Sequence, residues 1–322
     1  MRTVPHASNV RQPTSRGLGM RMQNLLFRLA RQLQIQNYPH AGNAPREDIA
    51  TMTDSNNLME SNIDSTGQAA AAPYGQIITP RIELWRDVIR YSVEGWVGDR
   101  THEMIGLLDH VHRQAGIVGD IVEIGVHQGM LLLLLAAVRR TNERVIGLDV
   151  FDSQHANIDN SGSGAYNIAM AAIEKHYSSE ASMICLMQID SMAINSRNIS
   201  NYIPSNIRLF SVDGGHTREH VLNDLCLAQD SIVSGGVIML DDFFGPHWPS
   251  VTEGYNAFMQ SQNKKLAPFL FFQNKLYLTT ISEHKTILDA VRTNVRSVFG
   301  NDLDSGLWKT VEISGFPVLV RG

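Results

Sequence analysis

Residues Ile207–Val251 constrain this chain more than any other stretch: IRLFSVDGGHTREHVLNDLCLAQDSIVSGGVIMLDDFFGPHWPSV. Two apolar runs, Ile207–Val212 and Val237–Leu240, are each too short for a typical helix. Each ends in acid, Asp213 after the first and Asp241-Asp242 after the second. Between them Val221, Leu222, Leu225, Leu227 and Ile232 supply most of an apolar stripe at helical spacing. Strand, helix, strand in that order predicts two parallel strands whose carboxyl ends share one edge of a sheet. Open α/β sheets bind ligands at that edge. Asp213 and Asp241, 28 residues apart in the chain, are therefore expected side by side. Carboxylates gathered there repel one another unless a cation sits among them or protons stay on. The pattern points to a site.

Upstream the same alternation continues. Strands are predicted at Ile121–Ile124, Val145–Asp149 and Met183–Ile189, with helices at Met130–Arg139 and Ala165–His176 between them. This is the rhythm of a mainly parallel, doubly wound sheet covered on both faces. Two helices are expected ahead of it. One is announced by Thr79-Pro80 with Ile82, Trp85, Val88 and Ile89 as its stripe; the other starts near Thr101 with Met104, Leu107, Leu108 and Val111. Helices so placed either cover a ligand or simply pack. Near the end the rhythm changes. Phe269–Phe272 and Lys275–Thr280 flank Gln273-Asn274 as a hairpin, and Pro268 is expected just before the first strand, where a missing amide costs the ladder least. A helix over Lys285–Phe299 should stop at Gly300, and Val311–Ile313 and Val318–Val320 flank Ser314-Gly315.

Composition bounds the class. The chain has 322 residues, 43% of them apolar and 18% charged, ordinary for a soluble globular protein. No apolar run is long enough to span a bilayer. The net charge of −5 conceals an asymmetry: residues 1–46 hold seven Arg and no acid, which leaves 20 basic against 32 acidic residues, or −12, for the remainder. A body that acidic argues against nucleic acid or an anionic membrane as partner. Cys185 and Cys226 sit in apolar runs without metal-ligand spacing and read as buried thiols of a reducing compartment, which favours the cytoplasm. Residues 1–79 read as an extension with little core. Met22, Leu26, Leu29 and Leu33 lie on one face of a basic amphipathic helix, as in a mitochondrial presequence, in an interaction helix, or in upstream sequence if the true start is Met52 rather than Met1. Ser55–Tyr74 has the composition of a linker.

The first strand runs into Glu123-Ile124-Gly125-Val126-His127-Gln128-Gly129 and then a helix. Glycines there allow a sharp turn and close approach of a ligand to the main chain. The dinucleotide fingerprint is Gly-x-Gly-x-x-Gly, whereas this loop is acid, then Gly-x-x-x-Gly. An acid two residues before the first Gly suits a ligand with an ammonium group better than one with a pyrophosphate. Asp149 ends the second strand, 20 residues after Gly129, where a carboxylate can accept both hydroxyls of a ribose. The competing account of the glycines is a plain strand–helix turn.

With Glu123 to Gly129, Asp149, Asp190-Ser191 after the third strand and the late hairpin, the chain resembles the class I S-adenosylmethionine-dependent methyltransferases over roughly residues 80–281. The resemblance implies a seven-stranded Rossmann-like sheet with an antiparallel hairpin. It places Gly125 and Gly129 against the methionine part of S-adenosylmethionine, with Glu123 at its ammonium, Asp149 on the ribose and Asp190-Ser191 near the adenine. Residues 282–322 are then a C-terminal helix and hairpin packed on that domain.

Asp213-Gly-Gly-His216 followed by Asp241-Asp242 further resembles the metal-dependent O-methyltransferases. In the catechol type an Asp after strand four and an acidic/amide pair after strand five hold magnesium. In the macrolide-sugar type (macrocin and mycinamicin enzymes) the ligands are similar, and in some members a His three residues after the first Asp is the base. Carried over, Asp213, Asp241 and Asp242 become ligands of Mg²⁺ or Mn²⁺ and His216 the general base. Methyl transfer is an in-line displacement that needs alignment of nucleophile and sulfonium, and an alcohol needs a hard cation and a proton acceptor to become that nucleophile. Asp213-Gly-Gly as a simple turn, with His216 as its cap, is the bland alternative. His216-Thr-Arg-Glu-His220 also fits the inverted zinc-protease pattern, but His216 directly follows a Gly-Gly turn, which spoils the required helix face.

The reading is thus a metal-assisted O-methyltransferase acting on a hydroxyl of a small molecule or glycan, a sugar first, with a catechol or an inactive S-adenosylmethionine-binding protein as alternatives. The loops Phe151–Gly164 and Phe243–Val251 are expected to close over the acceptor, with His155, His247, Trp248, Phe243 and Phe244 as contact candidates. A homo-oligomer is compatible with this reading.

Overall fold

The computed structural model describes residues 72–300 and 306–321. The basic amphipathic helix and the choice between Met1 and Met52 lie outside the described residues. The strands are β1 Asp120–Ile124, β2 Val145–Asp149, β3 Ile184–Gln188, β4 Ile207–Val212, β5 Ile232–Leu240, β6 Leu266–Phe272, β7 Lys275–Thr280, β8 Trp308–Ile313 and β9 Phe316–Arg321. They form one sheet in the order β3-β2-β1-β4-β5-β7-β6-β9-β8. The first five are parallel, and β7 runs antiparallel between β5 and β6. The chain winds outward from β1 in one direction and from β4 in the other, so the crevice of such a fold opens between the carboxyl ends of these two strands.

The helices are α1 Tyr74–Ile77, α2 Pro80–Asp87, α3 Thr101–Gln114, α4 Met130–Ala137, α5 Tyr166–Tyr177, α6 Arg218–Ser231, α7 Pro249–Met259 and α8 His284–Phe299. One face of the sheet is covered by α2, α3, α4, α5 and α8, the other by α6 and α7. Both faces of the sheet are covered, and β1 and β4 are buried at every position without alternation, their polar residues Asp120, Glu123, Arg208 and Ser211 included. The run MLLLLLAA of α4 is apolar all round because the helix is sandwiched between the sheet and its neighbours. Three of its carbonyls also accept from side chains of neighbouring elements: Trp85 Nε1 donates to Met130 O (2.9 Å), Tyr177 OH to Leu133 O (3.0 Å) and Arg81 Nη2 to Ala136 O (2.8 Å).

Several expectations are corrected. Helix begins at Tyr74, and Ile77 and Ile78 are buried, so the linker gives way earlier than Thr79. Ile232 opens β5 rather than closing the stripe of α6; the register between β4 and β5 shifts across the following Ser-Gly-Gly, where Gly235 takes φ 75°. Pro268 lies inside β6, with a register shift beside it, and its carbonyl accepts from His284 Nε2 at 2.9 Å. The sheet has nine strands, not seven, because β9 adds to β6 in parallel and carries β8 with it. Cys185 is half-buried and Cys226 exposed, so neither is the sealed core thiol expected. No helix among the described residues is long and apolar enough to cross a membrane.

Candidate active site

Strand ends deliver the site. Gly125 follows β1 at φ 91°, and a Cβ there would stand 1.7 Å from the carbonyl oxygen of Asp213, at the end of β4. Only a residue without a side chain lets these two loops touch. Gly129, at φ 96°, precedes α4. Asp149 ties the first loop to the next: its Oδ2 accepts from His127 N (2.8 Å) and its Oδ1 from Phe151 N. Burial raises its pKa against the pull of those amides. Asp190 accepts from Met192 N at 2.9 Å, and Ser191 is buried beside α6, where Asn223 Nδ2 donates to Ser191 O at 3.0 Å.

Gly125, Asp149, Asp190 and Ser191 line one cavity of about 1210 Å³, and so do Glu123, Asp213, His216, Asp241 and Asp242, whereas Gly129 lies outside its lining. The volume exceeds what one drug-sized ligand fills. Glu123 is 1% exposed, its Oε2 has no hydrogen-bond partner, and burial drives its pKa well above the carboxylate range. A buried carboxyl oxygen without a partner calls for a donor from a ligand.

At the acidic edge Asp213 Oδ1, His216 Nε2 and Asp242 Oδ2 form a cluster whose ligand atoms lie within 4.8 Å of one another. Nε2 of His216 is 3.2 Å from Asp242 and 3.9 Å from Asp213. Asp242 reaches back because the chain turns into the left-handed region there (φ 53°), which overrides the alternation of a continuing strand. Its other oxygen accepts from Asn274 Nδ2 at 3.1 Å. Oxygen donors beside one imidazole fit Mg²⁺ or Mn²⁺. Asp241 departs from the expected triad. It is buried, its Oδ1 accepts from Asp242 N (2.8 Å) and its Oδ2 is bound by the ammonium of Lys275. Burial first, and then the charge of Asp241, push the pKa of Asp213 well up.

His216 is held from behind by a residue that sequence reading passed over. Asp159, in the loop after β2, accepts from His216 N (2.6 Å) and faces His216 Nδ1 (3.1 Å). Trp248 stacks on the imidazole at 4.4 Å. Burial disfavours the imidazolium, but the bonds to Asp242 and Asp159 outweigh it and the pKa is raised. Thr217, not His216, caps α6, accepting from His220 N; Glu219 is exposed, and no zinc-protease geometry exists here. Of the other contact candidates, His247 and Trp248 line the cavity, His155 is exposed away from it, and Phe243 is core, packed on Tyr255 and Phe271. Phe244 is 60% exposed. Asp159 carried one faint signal, one of two acids in a polar loop at the right sheet edge; Lys275 carried another, a lone cation opening an apolar strand.

With this geometry in place, the comparisons fall in line. Residues 122–243 match the family model of a methyltransferase domain. The matched stretch runs from β1 to just past the end of β5 of the Rossmann-like sheet and holds most of the motifs that carry the resemblance. No curated protein matches the chain. Similar solved structures include CalS11, a TDP-rhamnose 3'-O-methyltransferase of calicheamicin biosynthesis, at 20% identity over 56% of this chain and 81% of that one, TM-score 0.40. The O-methyltransferase NovP is 16% identical over 63% of this chain and 89% of that one, TM-score 0.40. An O-methyltransferase from Bacillus cereus in complex with SAH is 14% identical over 63% and 90%, TM-score 0.44.

Proposed function

We propose that the chain is an S-adenosylmethionine-dependent, divalent-metal-assisted O-methyltransferase acting on a hydroxyl of a small molecule or glycan, a sugar first. One observation carries this: residues Glu123 to His127 with Asp149, and the Asp213/His216/Asp242 cluster, open on the same cavity. Asn157, Asp159, Asn160 and Ser161 also line it, a hydroxyl-matching wall that supports a polyol over a phenol.

When bound, the cofactor supplies a sulfonium-activated methyl group and the ion a positive charge that lowers the acceptor's proton affinity. Glu123 receives the ammonium, Asp149 the ribose hydroxyls on its remaining lone pairs, and Gly125 and Gly129 offer bare backbone to the methionine part. Asp190 and Ser191 bound the adenine end. Asp213 and Asp242 hold the cation. Commitment of Asp242 to that cation leaves Nε2 of His216 open to the acceptor. Nε2 of His216 would take the proton of the acceptor hydroxyl as its oxygen is methylated, with Asp159 holding the ring through Nδ1. The products are a methyl ether, the demethylated cofactor and an imidazolium.

Calorimetry should show S-adenosylmethionine binding that Asp149→Ala abolishes or strongly weakens; unchanged affinity would sink the cofactor assignment. A screen of small glycosides and catechols, read by mass spectrometry, should add one methyl to a glycoside, in a reaction stopped by chelator and restored by Mg²⁺ or Mn²⁺. Methylation of catechols alone overturns the sugar reading.

A further inference from the structure

Lys275 is the first residue of β7, directly after the Gln273-Asn274 turn, and that turn is fastened to the end of β5 by Phe243 N donating to Asn274 O at 2.9 Å. Register places Leu276 opposite Leu240, so Lys275 arrives where β5 has just released Asp241. Both side chains are closed off from solvent, at 4% and 7% exposure. The ammonium is bound to Asp241 Oδ2, and Asp242 N occupies Oδ1. Asp241 therefore has a partner on each oxygen, while one oxygen of Asp242 and one of Asp213 stand 3.2 Å and 3.9 Å from His216 Nε2, Asp213 lying also against Asp241. Lys275 itself does not line the cavity.

We propose that Lys275 is a resident counter-cation that removes Asp241 from the ligand set of the divalent ion, leaving Asp213 and Asp242 as its carboxylate ligands. The inference rests on the metal reading above and sharpens it. Three carboxylates and one ammonium carry a net charge of −2, which a single divalent ion neutralises; without Lys275 the same cage would be over-charged. Magnesium-type ions are commonly held by one or two carboxylates and keep several waters. Two acids suffice, and His216 stays free of the ion. A buried ammonium with an excellent carboxylate partner is also costly to separate, so the ion does not displace it.

The test is Mn²⁺ binding to the folded, unloaded protein, followed by electron paramagnetic resonance of the free ion and by thermal shift. Wild type should bind Mn²⁺, and Asp213→Asn and Asp242→Asn should weaken it ~10-fold or more. Lys275→Met should tighten it ~10-fold or more, because a carboxylate is released and a repelling charge removed. The deciding variant is Lys275→Met/Asp241→Asn, which removes the pair together and also covers the case in which Lys275→Met alone fails to fold. Its affinity should stay within about threefold of wild type, since charge and ligand number are unchanged. Loss of binding in the double variant comparable to Asp213→Asn makes Asp241 a ligand and overturns the proposal while the metal reading stands. No binding in wild type with binding gained in Lys275→Met makes Lys275 the only cation of the cage and overturns the metal reading, and this proposal with it. Binding in none of them overturns both.

Discussion

At the scale of single residues, the acids of this protein divide by what faces them. Asp241 meets an ammonium, Asp242 meets His216 and Asn274, and Oε2 of Glu123 meets no protein donor. Asp224 on α6 shows the consequence most cleanly. It is 1% exposed, and burial, only partly opposed by Ser191 and Asn223, raises its pKa to about 7. Between the unfolded value of 3.8 and about 7 the folded chain keeps the proton and the unfolded chain does not. Protonation therefore stabilises the fold at the acid end of that window, and the contribution is lost as pH rises toward 7. Asp224→Asn cannot ionise. Its stability relative to wild type should grow from nothing near pH 4 to on the order of 2–4 kcal/mol at pH 8. Denaturant titrations of both proteins at several pH values check this, and a constant difference across the series would refute it.

At the scale of elements, the site depends on two turns that a side chain would obstruct or strain. The loop after β1 lies against the loop after β4 at Gly125, and the left-handed Asp242 swings its carboxylate toward His216. Gly125→Ala places a methyl group on the Asp213 carbonyl as well as an L-residue at φ 91°. The strain should cost several kcal/mol and force the two loops apart. We expect a markedly lower melting temperature and loss of S-adenosylmethionine binding by calorimetry. Gly300, which ends α8 with nothing near its hypothetical Cβ, is the control for a glycine whose space is open.

At the scale of the whole molecule, function and stability occupy opposite edges of the sheet. The carboxyl ends hold the site. Toward the amino ends, Arg208 of β4 is fully buried, bound to both oxygens of Glu143 at 2.8 Å, to Val138 O at 2.8 Å and to Asp109 at 3.0 Å. Removing one member of such a network leaves the others buried and unpaired, at a cost of about 3–5 kcal/mol. Arg208→Met should lose stability of that order in denaturant unfolding, while the folded fraction keeps its wild-type cofactor affinity. A change in affinity instead would show that the two edges are coupled.

Sequence alone was enough for the alternation of β1 through β5, the hairpin of β6 and β7, the stop at Gly300 and the acid-bearing strand ends. All of these are local: hydrophobic period, glycine position and chain order dictate them before any long-range contact forms. Asp213, His216 and Asp242 were legible for the same reason, since parallel topology brings strand ends together whatever the side chains. Tertiary structure alone decided the partners. Asp159 meets His216 across 57 residues and Lys275 meets Asp241 across 34, and neither spacing has a period that a sequence pattern could carry. The joining of β9 to β6 was likewise hidden, because an edge strand accepts any chain that arrives in register, and arrival depends on how α8 packs. Which acid faces a histidine and which a lysine is a matter of distance and burial, quantities that exist only once the chain has folded.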